Sequence, residues 1–181
     1  MLETLITSKT RVKLLLKFFL NDSHSSYLRQ LESEFGESSN AIRVELNRFE
    51  EAGLLRSFTQ GNRKYYQAQT GHPLFDDIHN IILKYIGIDQ VIDQVVHKLG
   101  DLDRVFLHGD FTEGRDNGTI NFIFVGENLD AGYLFRLVTK AEKLIKRKVE
   151  YLVMSEKEFS NNATNSVDER VLLLWGKDGR I

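Results

Sequence analysis

The chain contains no cysteine among its 181 residues. That absence excludes a disulfide framework, a cysteine-bearing zinc finger and thiol-based redox or metal sensing. No apolar run approaches the roughly 20 residues that cross a bilayer, and the start Met1-Leu2-Glu3-Thr4 lacks the basic end and long apolar centre of a signal peptide. A cytoplasmic protein with no membrane partner is expected. Proline occurs once, at Pro73, and the net charge is only −2. That small value hides a split, because residues 1–70 carry ten Lys/Arg against eight Asp/Glu and the remainder carries fourteen against eighteen. An excess of two is not by itself a sign of nucleic-acid binding. With 41% apolar content the chain can bury one sizeable core or two small ones without staples, and two small domains are expected.

What is present centres on residues 38–53, which read as one helix with a start, two unlike faces and a stop. Ser38, Ser39 and Asn40 offer side-chain oxygens to the first-turn amides, and Gly53 can take the left-handed conformation that ends a helix. Ile42, Leu46 and Phe49 recur on one narrow face, while Asn40, Arg43, Val44, Asn47 and Arg48 point largely away from it. Arg and Asn make paired hydrogen bonds to guanine and adenine edges, so this exposed face suits a DNA major groove. A solvated amphipathic helix would look the same in isolation, and only the neighbouring segments decide between the two.

Before it, Ser8 caps a predicted helix to Leu20 with Val12, Leu15, Leu16 and Phe19 at helical spacing, and residues 21–25 break it. A second short helix is predicted from about Ser26 to Phe35, with Leu28, Leu31 and Phe35 inward. After Gly53, Leu54 to Gln60 reads as a strand, Gly61-Asn62 as a hairpin turn and Arg63 to Ala68 as the returning strand. Three helices followed by a two-stranded hairpin is the order of a winged helix.

The pieces Tyr27-Leu28-Arg29-Gln30-Leu31, Ser38-Ser39-Asn40-Ala41-Ile42-Arg43, Glu50-Glu51-Ala52-Gly53-Leu54-Leu55 and Gly61-Asn62-Arg63-Lys64-Tyr65-Tyr66 together resemble the winged-helix transcriptional regulators grouped with the ArsR and MarR families. The resemblance covers roughly residues 8–68. It implies that Ser39, Asn40, Arg43 and Asn47 approach bases of double-stranded DNA, with Arg63 and Lys64 near phosphates. Alone, Arg63 and Lys64 could simply keep an edge hairpin soluble.

Residues 71–100 read as a helical joint. His72-Pro73-Leu74-Phe75 starts a helix, with Pro73 in its first turn, that runs through Ile78, Ile81, Ile82, Tyr85 and Ile86 to Gly87. A second helix from about Asp89 to Leu99 carries Val91, Ile92, Val95, Val96 and Leu99. This stripe suits either a twin chain, in a homodimer on a palindromic operator, or the core of the second domain. His72, His79 and His97 have no metal-ligand spacing, so no metal is expected there.

From Asp101, strands at Arg104–Leu107, Thr119–Val125, Val149–Met154 and Val171–Trp175 alternate with a long helix at Leu129–Lys146 and a short one from Glu156. Residues 161–166 read as a polar loop and residues 177–181 as a tail. Lys140, Lys143, Lys146, Arg147 and Lys148 gather at the long helix's C-terminus, where they offset its dipole. The run from Leu107 to Gly126, a strand, a glycine turn, a loop and a strand, is similar to the minimal nucleotidyltransferase fold, marked by Gly-Ser, a loop and Asp-x-Asp. That resemblance covers roughly residues 87–175.

The departures matter more than the match. Gly109 and Gly114 keep the glycine positions, but Asp110 stands in place of the family's Ser and the loop is about two residues shorter. Thr119 and Asn121 stand where carboxylates hold Mg²⁺ in such enzymes. Glu150 could match a third carboxylate, and Asp110, Glu113 and Asp116 could improvise an ion site.

The expected fold class is therefore α+β: a winged helix-turn-helix domain over residues 1–70, a helical linker or dimerisation segment over 71–100, and a small α/β nucleotidyltransferase-like domain over 101–181. The expected function is sequence-specific DNA binding by a transcriptional regulator with no cofactor, no transfer activity and an undefined effector. The alternatives are a nucleotidyltransferase with a non-standard metal site and a protein-interaction module.

Overall fold

The computed structural model describes residues 6–96, 98, 99, 101–165 and 171–177. It is a mixed α+β structure whose described residues hold two sheets and form two compact units, one within Met1–Tyr85 with Glu113–Arg115 and one within Ile86–Thr112 with Asp116–Ile181. His97 and residues 178–181 lie outside the described residues.

The first unit opens with α1 (Lys9–Phe19), capped by Ser8, whose side chain accepts the Arg11 amide at 3.2 Å. Strand β1 (Ser25–Tyr27) leads directly into α2 (Leu28–Phe35). Here the structure departs from the sequence reading: Ser26 and Tyr27 are not helical, because β1 pairs antiparallel with a strand some 40 residues later, Tyr27 opposite Tyr65. Helix α3 (Ser39–Glu51) begins where Ser38 Oγ accepts the Ala41 amide at 3.3 Å. It is closed by Gly53 at φ +72°, a conformation a side chain would strain. Ile42 and Leu46 are fully buried, as are Leu14 and Phe18 of α1 and Leu31 of α2, the two helices that α3 packs against. Strands β2 (Leu55–Gln60) and β3 (Arg63–Ala68) form a hairpin closed at Gln60–Arg63 by the two-residue turn Gly61-Asn62, and the sheet order is β1-β3-β2.

Helix α4 (Phe75–Ile86) starts two residues after Pro73, which therefore sits in the preceding turn and not in the helix. The His72 ring nitrogen accepts the Leu74 amide at 3.1 Å and holds that turn. Phe75 packs on Phe19 with ring centroids 5.7 Å apart, and His79 Nδ1 lies 2.6 Å from the Phe19 carbonyl oxygen, so α4 belongs to the first core. Helix α5 is described over Ile88–Val96, and Leu99, its expected end, lies outside any helix. Val91, Ile92 and Val95 are buried, and the helix packs against α6 (Ala131–Ile145) within the same unit.

In the second unit, β4 (Leu102–His108), β5 (Thr119–Gly126), β6 (Lys148–Met154) and β7 (Val171–Gly176) form a sheet of order β6-β5-β4-β7. The β5–β6 pair is parallel, so it needs the α6 crossover, and the other pairs are antiparallel. One face buries Val105, Leu107, Phe122 and Phe124 with the helices. The other carries Phe106, Ile123 and Val125, packed against Phe159 of α7 (Glu156–Asn165), Val171 and Leu173. Residues 161–165, expected as a loop, continue α7, while Ser166 lies outside the described residues. Lys177, expected in a tail, is fixed instead: its amide donates to the Asp103 carbonyl at 3.0 Å and its ammonium pairs with the Asp103 carboxylate.

Candidate functional site

Helix α3, the start of α2 and the β2–β3 hairpin surround a groove of about 510 Å³. Its walls carry Arg43 and Asn47 from α3, Arg29 from α2, Tyr27 from β1, and Asn62, Arg63, Lys64 and Tyr66 from the hairpin. Four of the six residues expected at the interface, Arg43, Asn47, Arg63 and Lys64, thus line one concavity. Ser39 and Asn40 do not line it; they sit on the first turn of α3, Asn40 exposed and Ser39 half-buried. Arg43 and Asn47 are one helical turn apart and both exposed, because Ile42 and Leu46 take the buried side of the same helix.

The two hairpin cations differ in state. The Arg63 guanidinium lies 4.5 Å over the Tyr27 ring, which positions it without neutralising it. Lys64 donates to Glu50 of α3 at 2.7 Å, and Ser57 donates to the other Glu50 oxygen at 2.5 Å. These hydrogen bonds, Lys64 first, hold the Glu50 carboxyl below its ordinary range, and the bond to Glu50 raises the Lys64 ammonium. Lys64 therefore enters the groove already paired. Arg48, on the exposed side of α3, is likewise paired, with Glu45 at 3.3 Å, and Glu45 is itself held by Arg11 at 2.8 Å.

Arg29 and Asn62 were not singled out by the sequence. Asn62 was read only as a turn residue, and Arg29 reaches the groove because β1 fixes where α2 begins. The signal available was the Tyr27-Leu28-Arg29 run itself, whose aromatic and basic members flank an inward Leu.

In the second unit, strand register brings together several of the residues expected at a degenerate nucleotidyltransferase site. His108, Asn121 and Glu150 lie side by side across β4, β5 and β6, with Thr119 beside Lys148 two residues along. Gly109 stands at φ +78°, and a Cβ there would come within 3.3 Å of the Asn121 amide nitrogen. His108 was missed by the sequence reading; burial lowers the pKa of its imidazole, opposed in part by the nearby Glu150 charge.

The donor set does not fit Mg²⁺. Thr119 and Asn121 carry no charge, and Glu150 is exposed with the Lys148 ammonium 2.6 Å away. The carboxylates that could have improvised a site are engaged separately: Asp110 accepts from Asn117 at 2.8 Å, Glu113 pairs with Arg115 at 2.9 Å, and Asp116 accepts both Arg147 nitrogens at 2.6 and 2.8 Å. Arg147 thus serves Asp116, and Lys146, at φ +56°, is the C-cap of α6. Among the described residues no group of three or more His, Asp or Glu side chains gathers where it could hold a metal ion, and no helix is long and apolar enough to cross a membrane.

No protein-family model and no curated protein matches the chain. Among solved structures it is similar to a Sulfolobus solfataricus protein assigned as a nucleotidyltransferase, at 19% identity and a TM-score of 0.40 over 56% of this chain and 87% of that one. It is similar to reduced HlyU from Vibrio cholerae at 16% identity and a TM-score of 0.37, over 46% of this chain and 82% of that one. It is also similar to the AntR antimony-specific transcriptional repressor at 20% identity and a TM-score of 0.34, over 45% of this chain and 68% of that one.

Proposed function

We propose that this chain is a sequence-specific DNA-binding transcriptional regulator, in which residues 1–70 form a winged helix-turn-helix domain and residues 101–181 a nucleotidyltransferase-like module without transfer activity. The observation that carries the reading is the convergence of exposed Arg43 and Asn47 on α3 with Arg63 on the hairpin around one groove. A major groove about 12 Å wide admits an α-helix. Arg43 then reads guanine and Asn47 adenine by paired hydrogen bonds, with Asn40 and Ser39 at the helix start, while Arg63 and Arg29 contact phosphates and set the register. The regulator acts as a homodimer in this reading. Leu74, exposed just before α4, and half-buried Ile78 and exposed Ile81 on it give it a candidate contact face.

The silence of the second module rests on Thr119 and Asn121, which supply neither charge nor a general base where the transfer reaction needs metal-bound carboxylates. The experiment is a fluorescence titration of genomic fragments around the gene at low and moderate salt. A saturable, sequence-dependent complex that weakens about tenfold in Arg43→Ala and in Asn47→Ala is expected, following the 1–3 kcal/mol typical of a paired base contact. Absence of any preferred fragment, or affinities unchanged in both variants, refutes the reading.

A further inference from the structure

The hairpin has a second face. Ser57 and Lys64 point toward α3, as their bonds to Glu50 show, so alternation turns Arg56, Phe58, Arg63 and Tyr65 to the opposite side of the sheet. On that side the register sets Tyr27, Tyr65 and Phe58 opposite one another across all three strands. Tyr27 and Tyr65 meet edge to face with centroids 5.3 Å apart, and Phe58 and Tyr65 lie nearly parallel, 12° apart, at 5.7 Å. Phe58 is 40% exposed and the two tyrosines are half-buried. Arg56 and Arg63 flank the row, Arg56 donating to Gln67 at 3.0 Å and Arg63 lying over Tyr27. The other strand positions on this face are Gln or Ser; none is acidic, in a chain whose net charge is −2.

We infer that this aromatic face binds single-stranded nucleic acid; it shares Tyr27 and Arg63 with the groove, while Arg56, Phe58 and Tyr65 lie outside the groove's lining. Cross-strand aromatic packing explains why the rings meet, but not why Phe58 stays exposed at the end of a row flanked by two arginines, with no acidic residue at the strand positions of this face. A duplex cannot use such a row, since its bases are stacked on one another and it offers phosphates and groove edges instead. Unpaired bases stack on exposed rings whatever their sequence, while arginines beside the rings neutralise the backbone. A protein partner would gain from the rings but would have to bury or pair two cations. The charge of the face thus favours the polyanion.

The test uses the full chain and a labelled single-stranded oligodeoxythymidine of about ten nucleotides, within the span a small fold covers. Saturable, salt-sensitive binding is expected. Phe58→Ala should weaken it by about tenfold or more, and Arg56→Gln should weaken it and flatten its salt dependence. Phe58→Trp should retain binding, with emission of the added indole quenched on stacking. Duplex affinity should be unchanged in Phe58→Ala and Arg56→Gln. No saturable binding of the oligonucleotide overturns the inference. So does equal affinity in Phe58→Ala with Phe58→Trp unquenched, or equal loss of duplex and single strand. If duplex binding is absent while single-strand binding depends on Phe58, the regulator reading falls and this one stands.

Discussion

Replacing Glu50 by Gln tests whether the groove holds one of its own cations in reserve. In the free protein Lys64 is tied to Glu50 at 2.7 Å, and Ser57 completes the carboxylate's bonds. In the proposed DNA complex a phosphate must compete with an ion pair that is already formed. Both partners are partly exposed, at 48% and 31% for Lys64 and Glu50, so the pair is worth at most about 1 kcal/mol and its loss leaves the fold intact. Glu50→Gln keeps an acceptor for Ser57 and removes the charge that holds Lys64. One freed ammonium adds one phosphate contact, which steepens the slope of log affinity against log salt by about 0.9. Between 50 and 200 mM salt that amounts to about 3.5-fold more loss of affinity than in the natural chain, starting from tighter binding at low salt. The assay is fluorescence anisotropy with a fixed duplex over that salt range, on the natural chain, Glu50→Gln, Lys64→Ala and the double variant. Lys64→Ala should change little alone and should abolish the whole gain in the Glu50→Gln background, a coupling read by the double-mutant cycle. An unchanged slope in Glu50→Gln, with a full unit lost in Lys64→Ala alone, refutes the reasoning.

Two further outcomes follow from the packing. Lys17 is 2% exposed, with its ammonium 2.8 Å from the Glu34 carboxylate, so Glu34→Gln leaves a buried charge unpaired and should cost about 3 kcal/mol in urea unfolding, whereas the double variant Lys17→Met/Glu34→Leu, which removes both charges, should cost far less. Burial lowers the folded-state pKa of His108 from its ordinary 6.5, so the unfolded chain takes up the proton first. The stability linked to this group is complete above about pH 6.5 and is lost as pH falls toward the lower folded value; chemical unfolding at stepped pH should show that slope, and His108→Gln should flatten it.

The sequence by itself determined the helices of both units, the strands other than β1, and the exposed side of α3. Ser8, Ser38, Gly53 and the Gly61-Asn62 turn are local signals, read within a few residues of where they act, and the spacing of Ile42, Leu46 and Phe49 leaves Arg43 and Asn47 nowhere to point but outward. It also determined what the second unit lacks, since Thr119 and Asn121 cannot hold charge whatever surrounds them. Tertiary structure decided the rest. Strand β1 exists only because β3 pairs with it from far along the chain, and a three-residue strand has no periodicity of its own to betray it. That pairing put Arg29 at the groove and aligned Tyr27 with Tyr65 and Phe58. Lys64 reads as a free wing cation until Glu50 is seen beside it, and Lys17 reads as a surface lysine until the core closes over it. In each case the sequence fixes which group is present and on which side of its element it lies. What that group faces depends on strand register and helix packing between distant segments, and partners at that range leave no mark in local spacing.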